Sequence, residues 1–217
     1  MKKKLLSIVL LCTFVFAFAA CGKEDHSADS GDSVINFPIP EEGLYTRDNS
    51  GHLSGQYNIE IELENYGTIS ATLDADIAPV TVTNFIDLVQ KDFYDGLTFH
   101  RIINGYMMQG GCPEGNGYGS TARNIQGEFS ENGIENTLSH TRGVLSMARA
   151  NDPDSGSCQF FIMHQDYTTW DGSYAAFGWV TDGMEIVDAI CEDTPVGYNG
   201  AVSVDDQPVI KEIRIVE

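Results

Sequence analysis

The alternation of apolar and polar residues predicts β-strands along most of the chain beyond residue 56. Residues 57–63 alternate apolar and polar side chains, which is the period of two expected from a strand with one buried face. A turn signal at 65–67 separates this run from a second alternating run at 69–73, so the two runs predict a hairpin. Six further apolar segments are short and bounded by turn residues; they cover residues 98–103, 106–109, 144–148, 159–163, 175–180 and 210–216.

Two segments have the spacing of an α-helix instead. Pro79 suits the first turn of a helix, and the apolar residues that follow it recur at i, i+3, i+4 and i+7. These residues are Val82, Phe85, Ile86 and Val89. The helix is expected to end before the turn at 95–96, and residues 184–190 predict a second, shorter helix. Many short strands with only two helices favour a mainly β fold with a closed antiparallel sheet over a sandwich or a layered α/β fold.

The first twenty residues have the pattern of a targeting segment. Three lysines precede an apolar run that ends in small residues, and this predicts a signal peptide over residues 1–20. The run is short for a helix that crosses roughly 30 Å of hydrocarbon. Phe18-Ala19-Ala20-Cys21 resembles the bacterial lipoprotein cleavage box, which predicts lipidation of Cys21. Ordinary secretory cleavage after Ala19 is the alternative and would leave Cys21 a free thiol.

Residues 21–55 are interpreted as the lipidated cysteine followed by a flexible linker, and residues 56–217 as one folded domain. The linker segment is rich in Gly, Ser, Asp, Asn and Pro, with only isolated apolar residues. A flexible chain of about thirty residues reaches roughly 30 Å, which would lift a small domain clear of lipid headgroups. The remaining residues suffice for one domain.

The charge of the chain excludes some partners. Lys and Arg number 12 against 32 Asp and Glu, a net charge of −20 that repels phosphate backbones, so nucleic acid is not an expected partner. Removal of the signal peptide leaves nine basic residues and a net charge of −23. An anionic bilayer would repel this body, so attachment to a membrane would depend on the lipid anchor alone.

Few residues offer cofactor or nucleophile chemistry. The five cysteines are too scattered for a disulfide scaffold, no CxxC pair offers zinc spacing, and the histidines lack metal-ligand spacing. No metal or cofactor is therefore expected. Ser157 and Cys158 follow Gly156, but the second glycine of a nucleophile elbow is absent. A hydrolase that uses Ser157 or Cys158 would also lack a base at recognisable spacing.

Arg101 is unusual because it lies within an apolar strand segment and is followed by Tyr106, Met107 and Gln109. An arginine among buried apolar groups needs hydrogen-bond partners. Gln109 is one candidate and a ligand carbonyl is another. A position on the solvent face of an edge strand is the alternative.

Four segments together, 99–111, 143–150, 157–162 and 170–178, resemble the cyclophilin family of peptidyl-prolyl cis-trans isomerases. The resemblance runs in order from about Tyr57 to the C-terminus. It implies a mainly β fold, a closed eight-stranded antiparallel barrel capped by two short helices. It also implies a cofactor-free isomerase that acts on proline-containing unfolded or partly folded polypeptides. With the signal peptide, this predicts a monomeric, lipid-anchored enzyme outside the cytoplasm.

The resemblance also implies roles for individual residues. Arg101 matches the catalytic arginine, Gln109 would orient it, and Phe161 matches the aromatic floor of the proline pocket. The segment 148–150 matches the strand whose backbone pairs with the peptide. The full set of substrate-binding residues is Tyr106, Met107, Ala148, Arg149, Ala150, Gln159, Phe161, Trp170 and Tyr174.

Some positions depart from the family pattern. Trp170 takes the place of an apolar pocket residue and Thr169 that of the usual tryptophan, unless the register shifts by one. Arg149 replaces a common asparagine and Tyr174 a frequent histidine. Cys112 and Cys158 would pair if their Cα atoms approach to roughly 4.4–6.8 Å, or else remain separate thiols. A non-catalytic peptide-binding or holdase module is the alternative function.

Overall fold

The computed structural model describes residues 34–217. The predicted signal peptide and the predicted lipidation site at Cys21 lie outside the described residues. Between residues 34 and 217, no helix is long and apolar enough to cross a membrane.

The described part of the chain has a mainly β fold with two α-helices. Its ten strands are β1 (Gly43–Tyr45), β2 (Gln56–Leu63), β3 (Gly67–Asp74), β4 (Phe99–Ile103), β5 (Met107–Gly110), β6 (Arg123–Ile125), β7 (Val144–Met147), β8 (Phe160–Met163), β9 (Ala176–Asp182) and β10 (Ile210–Val216). The helices are α1 (Pro79–Gln90) and α2 (Met184–Asp193), and short 3-10 turns cover Ser130–Asn132, Thr168–Trp170, Tyr198–Gly200 and Val204–Asp206. All eight strand segments and both helices predicted from the sequence pattern are confirmed, and the stated boundaries differ by at most three residues.

Eight strands form one antiparallel sheet in the order β10-β2-β3-β9-β7-β8-β5-β4. The expected closed barrel needs correction, because no strand ladder joins β10 to β4 in the described residues. The two ends meet at one isolated bridge, Thr98 opposite Val209: the N–H of Phe99 donates to the carbonyl of Pro208 at 3.0 Å, and that of Ile210 to the carbonyl of Leu97 at 2.7 Å. Two features prevent a longer ladder between β10 and β4. Pro208 has no backbone N–H to donate. Residues 201–202 pair with Arg101 and His100 and so occupy the rest of the β4 edge.

The sheet has an apolar cluster on each face, and this arrangement positions the site. Met108 of β5 and its neighbours belong to the main core, which α1 also covers. Met107, the preceding residue, belongs to a second cluster on the opposite face with Phe161 and Met163. Successive side chains of a strand alternate between faces, so both clusters follow from one apolar run in each central strand. We call the face that carries Met107 the outer face.

Helix α1 begins where the sequence pattern places it. Pro79 occupies its first turn and has no N–H to leave unpaired. The next two N–H groups, of Val80 and Thr81, donate to the buried carboxylate of Glu128 at 3.1 and 2.9 Å. The carboxylate thus satisfies free N–H groups and lies at the positive end of the helix dipole.

The segment 34–55 is part of the folded unit, which corrects the prediction of a flexible linker up to residue 55. Strand β1 pairs in parallel with β6, and Tyr45 is fully buried. Leu53 is also buried in the main core. Arg123 Nη1 donates to the carbonyl of Pro40 at 2.7 Å. The apolar residues of this segment are isolated, so their spacing shows no helix or strand period. The segment pairs with residues about 80 positions further along the chain, and a local pattern does not show such pairing.

Candidate active site

Strand register places three predicted site residues and one neighbouring serine in a single row across the outer face. Arg101 of β4 lies opposite Gln109 of β5, Gln109 opposite Phe161 of β8, and Phe161 opposite Ser146 of β7. Residues directly opposite in a sheet share a face, so this row is a consequence of pairing. Arg101 and Phe161 are two strand spacings apart, about 10 Å between backbones.

Phe161 forms the floor of an aromatic pocket. It is 2% exposed, and the rings of Trp170 and Tyr174 stand edge-on to it with centroids at 5.3 and 5.8 Å. Tyr106 extends the wall by an edge contact with Trp170 at 4.8 Å. Burial raises the pKa of Tyr106 to about 12, so its hydroxyl is protonated near neutral pH. Met107 is buried beside this group.

Trp170 and Thr169 have different environments. Trp170 packs against Phe161, Tyr106 and Tyr174, whereas Thr169 is exposed. Trp170, rather than Thr169, is therefore the residue that packs beside Phe161. The ring of Tyr167, which the sequence analysis did not single out, contacts Tyr106 at 4.7 Å.

The partners of Arg101 differ from the expectation that Gln109 orients it. Gln109 lies opposite Arg101, but its Nε2 donates to Oε1 of Gln159 at 2.9 Å. Arg101 donates through Nε to the carbonyl of Asn199 at 3.1 Å and through Nη2 to Oδ1 of the same residue at 3.1 Å. Gln159 donates to the carbonyls of Gly117 and Gly119 at 3.0 and 2.8 Å, so Gln109 is held by a separate polar network.

The segment 148–150 lies beyond the end of β7 and lines a cleft of about 360 Å³. Gln109 and Gln159 line the same cleft, while Arg101 and Phe161 adjoin it on the same sheet. Ala148 N–H donates to the carbonyl of Gln159 at 2.9 Å, and Ala150 N–H to Oγ of Ser155 at 2.9 Å. Among residues 34–217 the backbone N–H and carbonyl of Arg149 have no hydrogen-bond partner.

The side chain of Arg149 links the segment 148–150 to the aromatic pocket. Its guanidinium donates through Nε and Nη2 to the carbonyl of Ser173, at 3.0 and 2.9 Å. It also lies over the rings of Tyr174 and Phe129, 4.7 and 5.1 Å from their centroids. Its donors are thus directed at backbone carbonyls.

Beside Phe161 on the outer face, a chain of contacts like that of a hydrolase triad links Ser146, His140 and Asp171. His140 Nε2 lies 3.0 Å from Oγ of Ser146, and Nδ1 lies 2.9 Å from Oδ1 of Asp171. Ser146 is fully buried, however, so a substrate carbonyl has no access to its hydroxyl. Burial lowers the pKa of His140, whose ring stacks over Phe161 at 6.1 Å. The chain therefore packs beside Phe161 as a structural contact.

The alternative nucleophiles also lack the features of a reactive group. Cys112 and Cys158 are free, buried thiols, which is the second of the two alternatives left open by the sequence. Burial raises the pKa of Cys158, and Ser157 Oγ donates to its sulfur at 3.6 Å rather than to a base. A hydrolase reaction at Ser157 or Cys158 therefore has no support in the geometry.

The sequence comparisons cover most of this domain. Residues 58–217 match the family model described as cyclophilin type peptidyl-prolyl cis-trans isomerase/CLD. The chain is 39% identical over 153 residues to peptidyl-prolyl cis-trans isomerase B of Bacillus subtilis, covering 70% of this chain and 94% of the relative. It is 46% identical over 116 residues to a peptidyl-prolyl cis-trans isomerase of Synechococcus elongatus, covering 54% and 75%.

Solved structures have the same fold. A cyclophilin type peptidyl-prolyl cis-trans isomerase of Cryptosporidium parvum superposes with a TM-score of 0.66 at 29% identity, covering 75% of this chain and 98% of that one. A second crystal structure of that protein, obtained in the presence of the dipeptide Ala-Pro, gives a TM-score of 0.66 at 30% identity, covering 74% and 99%. The matched region of this chain includes the row from Arg101 to Ser146 and the aromatic pocket.

Proposed function

The chain belongs to the cyclophilin-type peptidyl-prolyl cis-trans isomerase family, and from this premise we propose that Arg101 and the pocket floored by Phe161 catalyse rotation of X-Pro bonds. The observation that carries the proposal is the shared register of Arg101, Gln109 and Phe161 on one face. It puts a cation on the same sheet face as a cluster of aromatic rings, the kind of surface on which a pyrrolidine ring packs.

The reaction requires stabilisation of a twisted amide. Rotation about an X-Pro bond crosses a barrier of about 18–20 kcal/mol because amide conjugation must be broken. No bond is made or cleaved, so the enzyme need only bind the twisted amide more tightly than either planar form. As the C–N bond twists, the lone pair localises on the prolyl nitrogen and a nearby N–H donor stabilises that state.

Three separate groups of this chain would meet these requirements: the aromatic pocket, the guanidinium of Arg101 and the backbone of Arg149. Phe161, Trp170 and Met107 would hold the pyrrolidine ring, which removes water that stabilises the planar amide. Nη1 of Arg101 has no hydrogen-bond partner among residues 34–217, so it is free to donate to the prolyl nitrogen or the preceding carbonyl. The unpaired backbone groups of Arg149 would pair with the peptide.

Substitution of Arg101 tests this proposal. We expect Arg101→Ala to lower kcat/KM on a proline tetrapeptide about 100-fold, since one preorganised donor is lost. Arg101→Lys should also lower it, because a lysine lacks the planar fork. Exchange NMR on the peptide measures turnover, and thermal unfolding should change little. Arg214→Ala, which removes a surface arginine of β10, is the control; unchanged turnover in both Arg101 variants would refute the proposal.

We further propose that the enzyme is a monomer held outside the cytoplasm by a lipid on Cys21, with proline-containing unfolded polypeptides as substrates. One chain contributes every residue of the candidate site, so catalysis requires no second copy. Twelve residues separate Cys21 from Val34, where the described structure begins, and twelve residues span at most about 40 Å. The anchor would therefore keep the domain near the membrane surface.

Cell fractionation of Cys21→Ala tests the anchor. The variant should leave the membrane fraction, because the net charge of the chain offers no attraction to anionic lipid. Cys112→Ala, which leaves the cleavage box unchanged, is the control and should stay in the membrane fraction. Retention of Cys21→Ala in that fraction would contradict the lipid anchor and would leave the isomerase assignment unaffected.

A further inference from the structure

The loop that contacts Arg101 is fixed to the edge of β4 by its backbone. Val202 N–H donates to the carbonyl of His100 at 3.0 Å, and Ala201 forms a bridge with Arg101. Gly200 has a φ of +77°, and a Cβ there would lie 2.4 Å from the carbonyl oxygen of Ile102. A side chain at position 200 would thus push the loop away from β4, so glycine is required.

Asn199 presents two acceptors to one edge of the guanidinium. Its φ of 56° and ψ of 29° are left-handed, a conformation that asparagine tolerates better than most residues. In this conformation its carbonyl accepts Nε–H of Arg101 and its Oδ1 accepts Nη2–H, both at 3.1 Å. The bonds hold the Nε and Nη2 edge and leave Nη1 for the substrate.

The acceptors of Asn199 are neutral, so they leave the positive charge of Arg101 uncompensated. A carboxylate at the same place would form an ion pair and reduce the positive potential at the substrate. An amide and a backbone carbonyl orient the guanidinium while its full charge remains available. Gln109 does not perform this role in the described residues: its Nε2 donates to Gln159, and the side-chain hydrogen bonds of Arg101 go to Asn199.

We propose that Asn199 is the positioning residue of the catalytic arginine, an inference that rests on the proposed role of Arg101. The turn Tyr198–Gly200 fixes Asn199 on β4, and Asn199 fixes the rotamer of Arg101. Loss of Oδ1 would let the guanidinium leave the geometry that the twisted amide needs.

Asn199→Gly is the sharpest test, because glycine retains the left-handed backbone and the carbonyl acceptor and removes only the side chain. We expect kcat to fall about tenfold, the loss of one hydrogen bond to a charged group, with KM changed less than about twofold. Thermal unfolding should change little. Tyr198→Ala is the matched control in the same turn, since the side chain of Tyr198 is 96% exposed.

A double-variant cycle shows whether Asn199 acts through Arg101. If it does, Arg101→Ala and Arg101→Ala/Asn199→Gly should have the same kcat/KM by exchange NMR, because the group that Asn199 positions is already gone. An unchanged kcat in Asn199→Gly, or an equal loss in the Arg101→Ala background, would overturn the positioning role. Full activity of Arg101→Ala alone would instead refute the proposed function.

Discussion

His100 and Arg101 are consecutive in β4, yet they have different environments. Arg101 is half-buried on the outer face with neutral acceptors, whereas His100 is 7% exposed. Nδ1 of His100 has no hydrogen-bond partner among the described residues. Burial is the larger cause and the positive charge of Arg101 the smaller one; together they lower the pKa of His100 to about 4. The histidine is therefore neutral near pH 7.

Burial of neutral His100 predicts a pH dependence of stability. Its pKa is about 4 in the folded chain against 6.5 in the reference state, so the unfolded state binds the proton first as pH falls. The free energy of unfolding should fall between pH 6.5 and 4, by up to about 3 kcal/mol from this residue.

Urea unfolding at pH 7 and pH 4.5 measures this effect in the wild type and in His100→Gln, which cannot titrate. The variant should lose less stability on acidification than the wild type, whatever its stability at pH 7. The same loss in both proteins would show that His100 does not contribute to the pH dependence.

At the scale of elements, the start of α1 depends on a residue that lies far from it in sequence. Glu128 accepts two N–H groups of the helix and the hydroxyl of Thr81 at 2.8 Å, and its side chain is fully buried. Arg47 Nε donates to the same carboxylate at 2.9 Å. The N-terminal segment, the helix and the loop after β6 thus meet at one carboxylate.

Glu128→Ala should lower the free energy of unfolding by about 3 kcal/mol, because it leaves the helix donors and Arg47 without their acceptor. Chemical denaturation measures the loss. Glu131→Ala, at an exposed position in the next 3-10 turn, is the matched control and should have an effect below about 0.5 kcal/mol. Equal effects of the two substitutions would contradict the capping role.

At the scale of the whole molecule, the folded unit extends beyond the region that matches the family. The family model begins at residue 58, whereas β1 and Leu53 already contribute to the described core. Tyr45 is fully buried, and its hydroxyl donates to the carbonyl of Gly51 at 2.6 Å. The segment before β2 is thus held by strand pairing, burial and hydrogen bonds together.

Tyr45→Ala should cost about 4 kcal/mol of folding free energy, the usual loss for deletion of a buried ring. Leu44→Ala is the matched control in the same strand, because Leu44 is 48% exposed and should contribute less than about 1 kcal/mol. Thermal and urea unfolding measure both variants. A negligible effect of Tyr45→Ala would mean that the segment is a linker after all.

Much of the fold could be predicted from the sequence because strand and helix patterns are local. The apolar periods at 57–63 and 69–73 and the helix spacing after Pro79 each depend on neighbouring residues. The short segment 43–45 has no such period, and its pairing partner β6 lies about 80 residues away. The family motifs likewise indicated Phe161, Trp170 and Tyr174 of the aromatic pocket, although not Tyr167 or the contacts among the rings.

By itself, the sequence determined where eight of the ten described strands and both helices lie, which side chains alternate toward the two faces, and the family to which the site belongs. These features depend on short-range order and motif spacing. Only the tertiary structure decided that Asn199 rather than Gln109 holds Arg101, across 98 positions. It also decided that loops occupy the β4 edge and that Tyr45 is core. Such contacts form between segments that are far apart in sequence, so a local sequence pattern does not predict them.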